Sequence, residues 1–213
     1  MPTFRLNGTR LLEVDIANET FSALNGSMVA YVGQVAFKKQ GMRSGGGGFR
    51  GAIKRKVTGE SIELMDCSGS GTVYIANAAQ EINLIELKGQ ELFVEASNLV
   101  ALEGGIQTDQ KFTGMQGASS GRGLFTTVAK GNGQVAVTTD GPAIVLEVAP
   151  GQPLCVDPQA YVAHSGQLQQ DFITDVNWRT AIGQNSGESF QLRFQGNGLV
   201  YIQPAERQGG IDL

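Results

Sequence analysis

One heptapeptide pattern occurs three times along the chain. Gly69-Ser70-Gly71-Thr72-Val73-Tyr74-Ile75 returns as Gly131-Asn132-Gly133-Gln134-Val135-Ala136-Val137, and again as Gly196-Asn197-Gly198-Leu199-Val200-Tyr201-Ile202. A second element recurs in the same order. Phe21-Ser22-Ala23 with Met28-Val29-Ala30-Tyr31-Val32-Gly33 corresponds to Leu92-Phe93-Val94 with Leu99-Val100-Ala101-Leu102-Glu103-Gly104. The third copy is Leu154-Cys155-Val156 with Tyr161-Val162-Ala163-His164-Ser165-Gly166. A third element, Gly59-Glu60-Ser61-Ile62, matches Gly121-Arg122-Gly123-Leu124 and Gly187-Glu188-Ser189-Phe190. Isolated glycines match by chance in a glycine-rich chain, but three ordered elements do not, so the chain reads as an internal triplication.

Each copy predicts a strand pair, a Gly-rich connection and a second strand pair closed by Gly-x-Gly. Such Gly pairs between apolar strands signal hairpins, because primed turns need positive φ. Apolar residues alternate beside them, as at Val73 and Ile75, Val135 and Val137, and Val200 and Ile202. That period of two suits half-buried strands. Helical periodicity is scarce; Thr174 to Ile182, with Thr174 or Asp175 as cap, is the best helical candidate.

The expectation is an all-β chain of three pseudo-repeated β-sandwich units packed as one domain. The copies span approximately residues 10–76, 77–137 and 138–205, with a C-terminal tail at 206–213. One module alone would bury only about 60% of its unfolded surface, and three packed together share a larger core. No Pro-rich or acidic linker separates them.

The net charge of −4 argues against a surface built throughout for nucleic acid. Cys67 and Cys155 are far apart and form no CxxC, which favours a reducing compartment. Met1 to Val14 carries Arg5, Arg10 and Glu13 and no apolar run, unlike a signal peptide. Thr20 to Phe37 is uncharged, but its alternation and Asn25-Gly26 read as a strand pair with a turn rather than a membrane span. A cytoplasmic protein with no transmembrane segment is expected.

The segments Gly59-Glu60-Ser61, Gly69 to Ala76 and Gly187 to Gln203 resemble the altered-inheritance-of-mitochondria protein twenty-four family. The resemblance runs over roughly Arg10 to Ala205. This largely bacterial and fungal group was first catalogued as a domain of unknown function. It implies a fold like the tryptophan RNA-binding attenuation protein, a ring-forming β-sandwich related to double-stranded β-helices, and further assembly of chains. It supplies no agreed catalytic residues. The fungal member implies a role in mitochondrial organisation, which the absence of a transit-peptide pattern does not carry over.

His164 is the one histidine. A lone imidazole can serve as a base or ligand, but its equivalents in the other copies are Tyr31 and Leu102, which favours a packing slot. No HxH, HExxH or Cys cluster offers a metal set. Cys155 is matched by Ser22 and Phe93, and Cys67 by Ala129 and about Phe194; both thiols read as small hydrophobes rather than nucleophiles. Glu60 and Glu188 share a slot with Arg122, so a salt-bridge cluster or turn solvation is favoured over an acid–base pair. Gly46-x-Gly48-x-x-Gly51 satisfies a dinucleotide pattern on paper, but no following helix or βαβ pattern supports it. No Walker A motif occurs. No catalytic residue, cofactor or metal is expected.

The strongest charge feature is basic. Lys38, Lys39, Arg43, Arg50, Lys54, Arg55 and Lys56 lie between Glu19 and Glu60 with no acid among them, so this stretch is +7 and the remainder −11. A solvated loop or a contact with another subunit is favoured. An anionic partner, RNA or an acidic lipid surface, is the alternative. Phe49 alone supplies an aromatic within the basic loop, which is thin for base stacking, and copy three interrupts the pattern with Asp171, Asp175 and Glu188. The first reading is therefore a non-enzymatic structural or interaction protein, assembling as a homo-oligomer and open to a protein partner. An anion-binding module using residues 38–59 and an uncharacterised enzyme are the alternatives.

Overall fold

A computed structural model describes residues 1–40, 62–113, 124–174 and 190–205. Among the described residues the chain is almost wholly β, with one turn of 3-10 helix at Ala96–Asn98. The strands are β1 (Thr3–Asn7), β2 (Leu11–Leu24), β3 (Met28–Lys39), β4 (Leu64–Ile75), β5 (Glu81–Glu95), β6 (Leu99–Leu102), β7 (Gln107–Thr113), β8 (Leu124–Thr139), β9 (Ile144–Val148), β10 (Leu154–Val156), β11 (Tyr161–Thr174) and β12 (Phe190–Ile202). All pair antiparallel.

The strands form one open sheet ordered β10-β12-β11-β5-β8-β6-β2-β4-β3, with β1 on β2, β7 on β8 and β9 on β12. Three groupings follow from these pairings. β4 lies between β2 and β3; β8 lies between β5 and the pair β6 and β7; β12 lies between the pair β9 and β10 and β11. The central strand of each grouping carries the Gly-x-Gly sequence.

The expected hairpin turn at Gly-x-Gly is corrected by this arrangement. Gly69 and Gly71 lie inside β4, Gly131 and Gly133 inside β8, and Gly196 and Gly198 inside β12. The glycines do have positive φ where expected, with Gly69 at 133° and Gly196 at 125°. The cause is close approach of two backbones. Gly33 faces Gly71 across β3 and β4, and a Cβ on Gly69 would run into the Gln34 carbonyl oxygen. Glycine is the side chain that lets neighbouring backbones come this close.

Opposite these glycines β2 bends as well. The β2–β4 register shifts between Ala17 and Glu19, and Asn18 there has φ 61° and donates its N–H to Ser70 Oγ at 2.9 Å. An extra residue in one strand reverses which side chains face inward. Leu12, Val14 and Ile16 are buried before the bulge, and Phe21 and Ala23 after it. β5 repeats the device between Lys88 and Glu91, with Ile85 and Leu87 buried before it and Leu92 and Val94 after.

The strand pair read from Thr20 to Phe37 is present: β2 ends at Leu24, Gly26 turns at φ 89° and β3 starts at Met28. The helical candidate begins at Thr174, the last residue of β11; 175–182 lie outside the described residues.

The apolar residues gather in three clusters. The first holds Phe4, Leu12, Val14, Phe21, Cys67 and Val73, together with Val100, Ala101 and Ala136. The second holds Ile85, Leu87, Leu92, Ala129 and Val135, with Val162 and Ala163. The third holds Val148, Val156, Tyr161, Leu192, Phe194 and Val200. Facing pairs within them trade volume: Phe21 faces Cys67, Leu92 faces Ala129 and Leu154 faces Phe194.

Candidate functional site

Of the basic group, Lys38 and Lys39 end β3 and are exposed. Lys39 Nζ lies 2.6 Å from Glu63 Oε2, and that ammonium holds the Glu63 carboxyl below the usual carboxylate range. Lys38 faces Asp66 across the ladder. The two described cations of the group therefore stand beside acids. Arg43, Arg50, Lys54, Arg55 and Lys56 lie outside the described residues, as do Phe49, Glu60, Arg122, Glu188 and the Gly46 to Gly51 pattern.

His164 stands on β11, where its short ladder with β5 sets it opposite Phe93. Its ring stacks on Phe93, centroids 4.6 Å apart and planes 2° from parallel, with Phe194 at 5.2 Å on another side. Tyr161 Oη is 2.8 Å from His164 Nδ1 and donates to the Phe93 carbonyl at 3.2 Å. The residue is only 4% exposed. Burial pushes its pKa down to about 4, so the ring is neutral near pH 7 and a weak proton acceptor. Burial, then the charge of Glu95, pushes the Tyr161 hydroxyl well above its ordinary value. This is an aromatic packing cluster at a strand junction.

The cysteines part company. Cys67 is buried, and burial followed by the neighbouring Asp66 charge pushes its thiol up to about 12. Cys155 on β10 is exposed, which corrects the expectation that it is a buried small hydrophobe. Ser22 and Phe93, matched to it by sequence pattern, are half-buried, with β6 and β11 beside them.

An open groove of about 670 Å³ runs beside the β5–β11 junction, lined by residues including Glu91, Phe93, Leu168 and Gln195. Its carboxylate, Glu91, pairs with Lys130 at 2.6 Å. Among the described residues no group of three or more His, Cys, Asp or Glu side chains is placed to hold a metal. None of the described helices is long and apolar enough to cross a membrane.

Sequence reasoning did not locate the exposed ends of the sheet. On β3, Val29 is 58% exposed, Tyr31 48% and Val32 65%; on β9, Ile144 is 40% and Val145 51%. β3 and β10 end the strand order. Apolar side chains on an unpaired edge invite another strand.

A family model described as mitochondrial biogenesis AIM24 matches residues 4–205. The chain belongs to this family. Among solved structures, this AIM24 member is similar to protein SPYM3_0169 from Streptococcus pyogenes. The TM-score is 0.72 at 25% identity, covering 97% of this chain and 94% of that one. No curated protein matches the AIM24 chain. The family match bears out the resemblance read from Gly59-Glu60-Ser61 and the two Gly-x-Gly runs.

Proposed function

We propose that the chain is a non-enzymatic structural or interaction protein that works as an oligomeric β-scaffold. The observation that supports this is the pair of open sheet ends, with Val29, Tyr31 and Val32 exposed on one and Ile144 and Val145 on the other. Among the described residues no strand pairs with the outer side of either end, and unpaired backbone groups and apolar side chains favour association. The packed, weakly basic His164 is in keeping with a framework role. Cytoplasmic placement belongs to the same reading, with Cys67 and Cys155 as separate free thiols.

Light scattering during size exclusion tests the assembly. A mass several times the 22.5 kDa of one chain at micromolar concentration is the expected result. One chain per particle at every concentration would remove the scaffold reading.

A further inference from the structure

The two internal joints of the sheet obey one rule. Where the second grouping meets the first, β6 pairs with β2, setting Leu102 opposite Ser22 and Ala101 opposite Ala23. Where the third meets the second, β11 pairs with β5, setting His164 opposite Phe93 and Ala163 opposite Val94. In the triplicated sequence Tyr31, Leu102 and His164 share one slot, and Ser22, Phe93 and Cys155 share another. Both joints therefore use the same two slots in the same register. The triplication contains one more member of each, Tyr31 and Cys155, and they stand on the two strands that end the sheet.

The cores tell the same story. Val100 and Ala101 of the second grouping help close the first cluster, and Val162 and Ala163 of the third help close the second. All four are fully buried. Among the described residues the third cluster draws only on Val148 to Ile202 and receives no such Val-Ala pair. The remaining pair is Val29-Ala30, which is exposed. On the receiving side Ile144 is 40% exposed, while Leu12, its counterpart by register, is fully buried.

We propose that a second copy of this chain completes the sheet head to tail. Its β3 pairs antiparallel with β10 of the first copy. Tyr31 sits opposite Cys155 and Ala30 opposite Val156, and Val29 enters the third core cluster. This rests on the scaffold reading and gives it a partner and a register. The contact joins unlike edges, so each added copy presents a fresh edge, and assembly continues until a ring closes or a filament grows.

The test uses Tyr31→Cys in the full chain. Directly opposed residues of an antiparallel pair have Cα atoms about 4.5–5.5 Å apart, within the span of a disulfide. Cys67 is buried and stays out of the reaction, so the variant carries one reactive thiol at each end of its sheet. Mild oxidation should give a ladder of covalent dimers, trimers and larger species on non-reducing gels. The ladder should vanish in Tyr31→Cys with Cys155→Ser, and Lys39→Cys should give none.

Dimers persisting in the Tyr31→Cys, Cys155→Ser chain would show like edges meeting and overturn the proposal. An equal ladder from Lys39→Cys would show random collision and overturn it too. No ladder from a chain that light scattering finds oligomeric would refute this pairing and leave the scaffold reading standing. No ladder from a monomeric chain would refute both.

Discussion

His164 lies flat on Phe93 across the joint between β11 and β5, ring centres 4.6 Å apart. The imidazole thus serves where Leu102 serves at the other joint, opposite Ser22. Its chemistry follows from that position. Burial lowers its pKa from 6.5 to about 4.

A pH dependence follows. The unfolded chain takes up a proton at this residue as pH falls through about 6.5, while the folded chain does so only near 4. The stability His164 contributes is whole above 6.5 and is lost as pH falls towards 4. At about 1.4 kcal/mol per pKa unit the loss is about 3 kcal/mol. His164→Leu should therefore lose less stability than the parent between pH 7 and pH 4, by up to that amount in urea unfolding. Parallel acid limbs for the two proteins would contradict the burial argument.

The mid-strand glycines make a second expectation. Gly33 has φ 102°, and a Cβ there would approach Ser70 O at 2.5 Å and Gly71 Cα at 2.8 Å. Gly26 has φ 89° with nothing within 4 Å of that position. Gly26→Ala should cost about 1–2 kcal/mol from conformation alone. Gly33→Ala adds a backbone collision and should cost about 3 kcal/mol or more. Equal thermal midpoints for the two variants would show that close approach does not explain the Gly-x-Gly pattern.

The thiols should separate kinetically. Dilute native protein should expose one thiol, Cys155, to a disulfide reagent, and a second only on unfolding, because the Cys67 thiol is buried and resists ionisation. Raising the protein concentration should slow labelling of Cys155. Two fast thiols in the native chain would contradict the burial of Cys67.

Phe21 is 1% exposed and packs edge-on against Phe4, centroids 5.8 Å apart at 81°. Phe21→Ala should cost about 3–5 kcal/mol in chemical unfolding. A loss below about 1 kcal/mol would mean that the first cluster closes without it.

The all-β class was legible because apolar residues alternate beside each Gly-x-Gly run, as at Val73 and Ile75 or Val200 and Ile202. Phe21, Leu92 and Leu154, aligned by sequence alone, face Cys67, Ala129 and Phe194. Gly-x-Gly was misread because positive φ serves both a primed turn and a crowded strand crossing, and the sequence does not distinguish them. The exposure of Cys155 and Tyr31 was hidden for a different reason. Ser22 and Phe93 are covered by β6 and β11, and local sequence carries no sign of which strand stays at the edge.

Hydrogen–deuterium exchange measured across a range of protein concentrations tests the edge pairing most directly. The account predicts that amide protection in the segments around Ala30–Val32 and Leu154–Val156 rises together as the chain assembles, while exposed turns such as Gly151 do not change. Assembly with no gain of protection in either segment would contradict it.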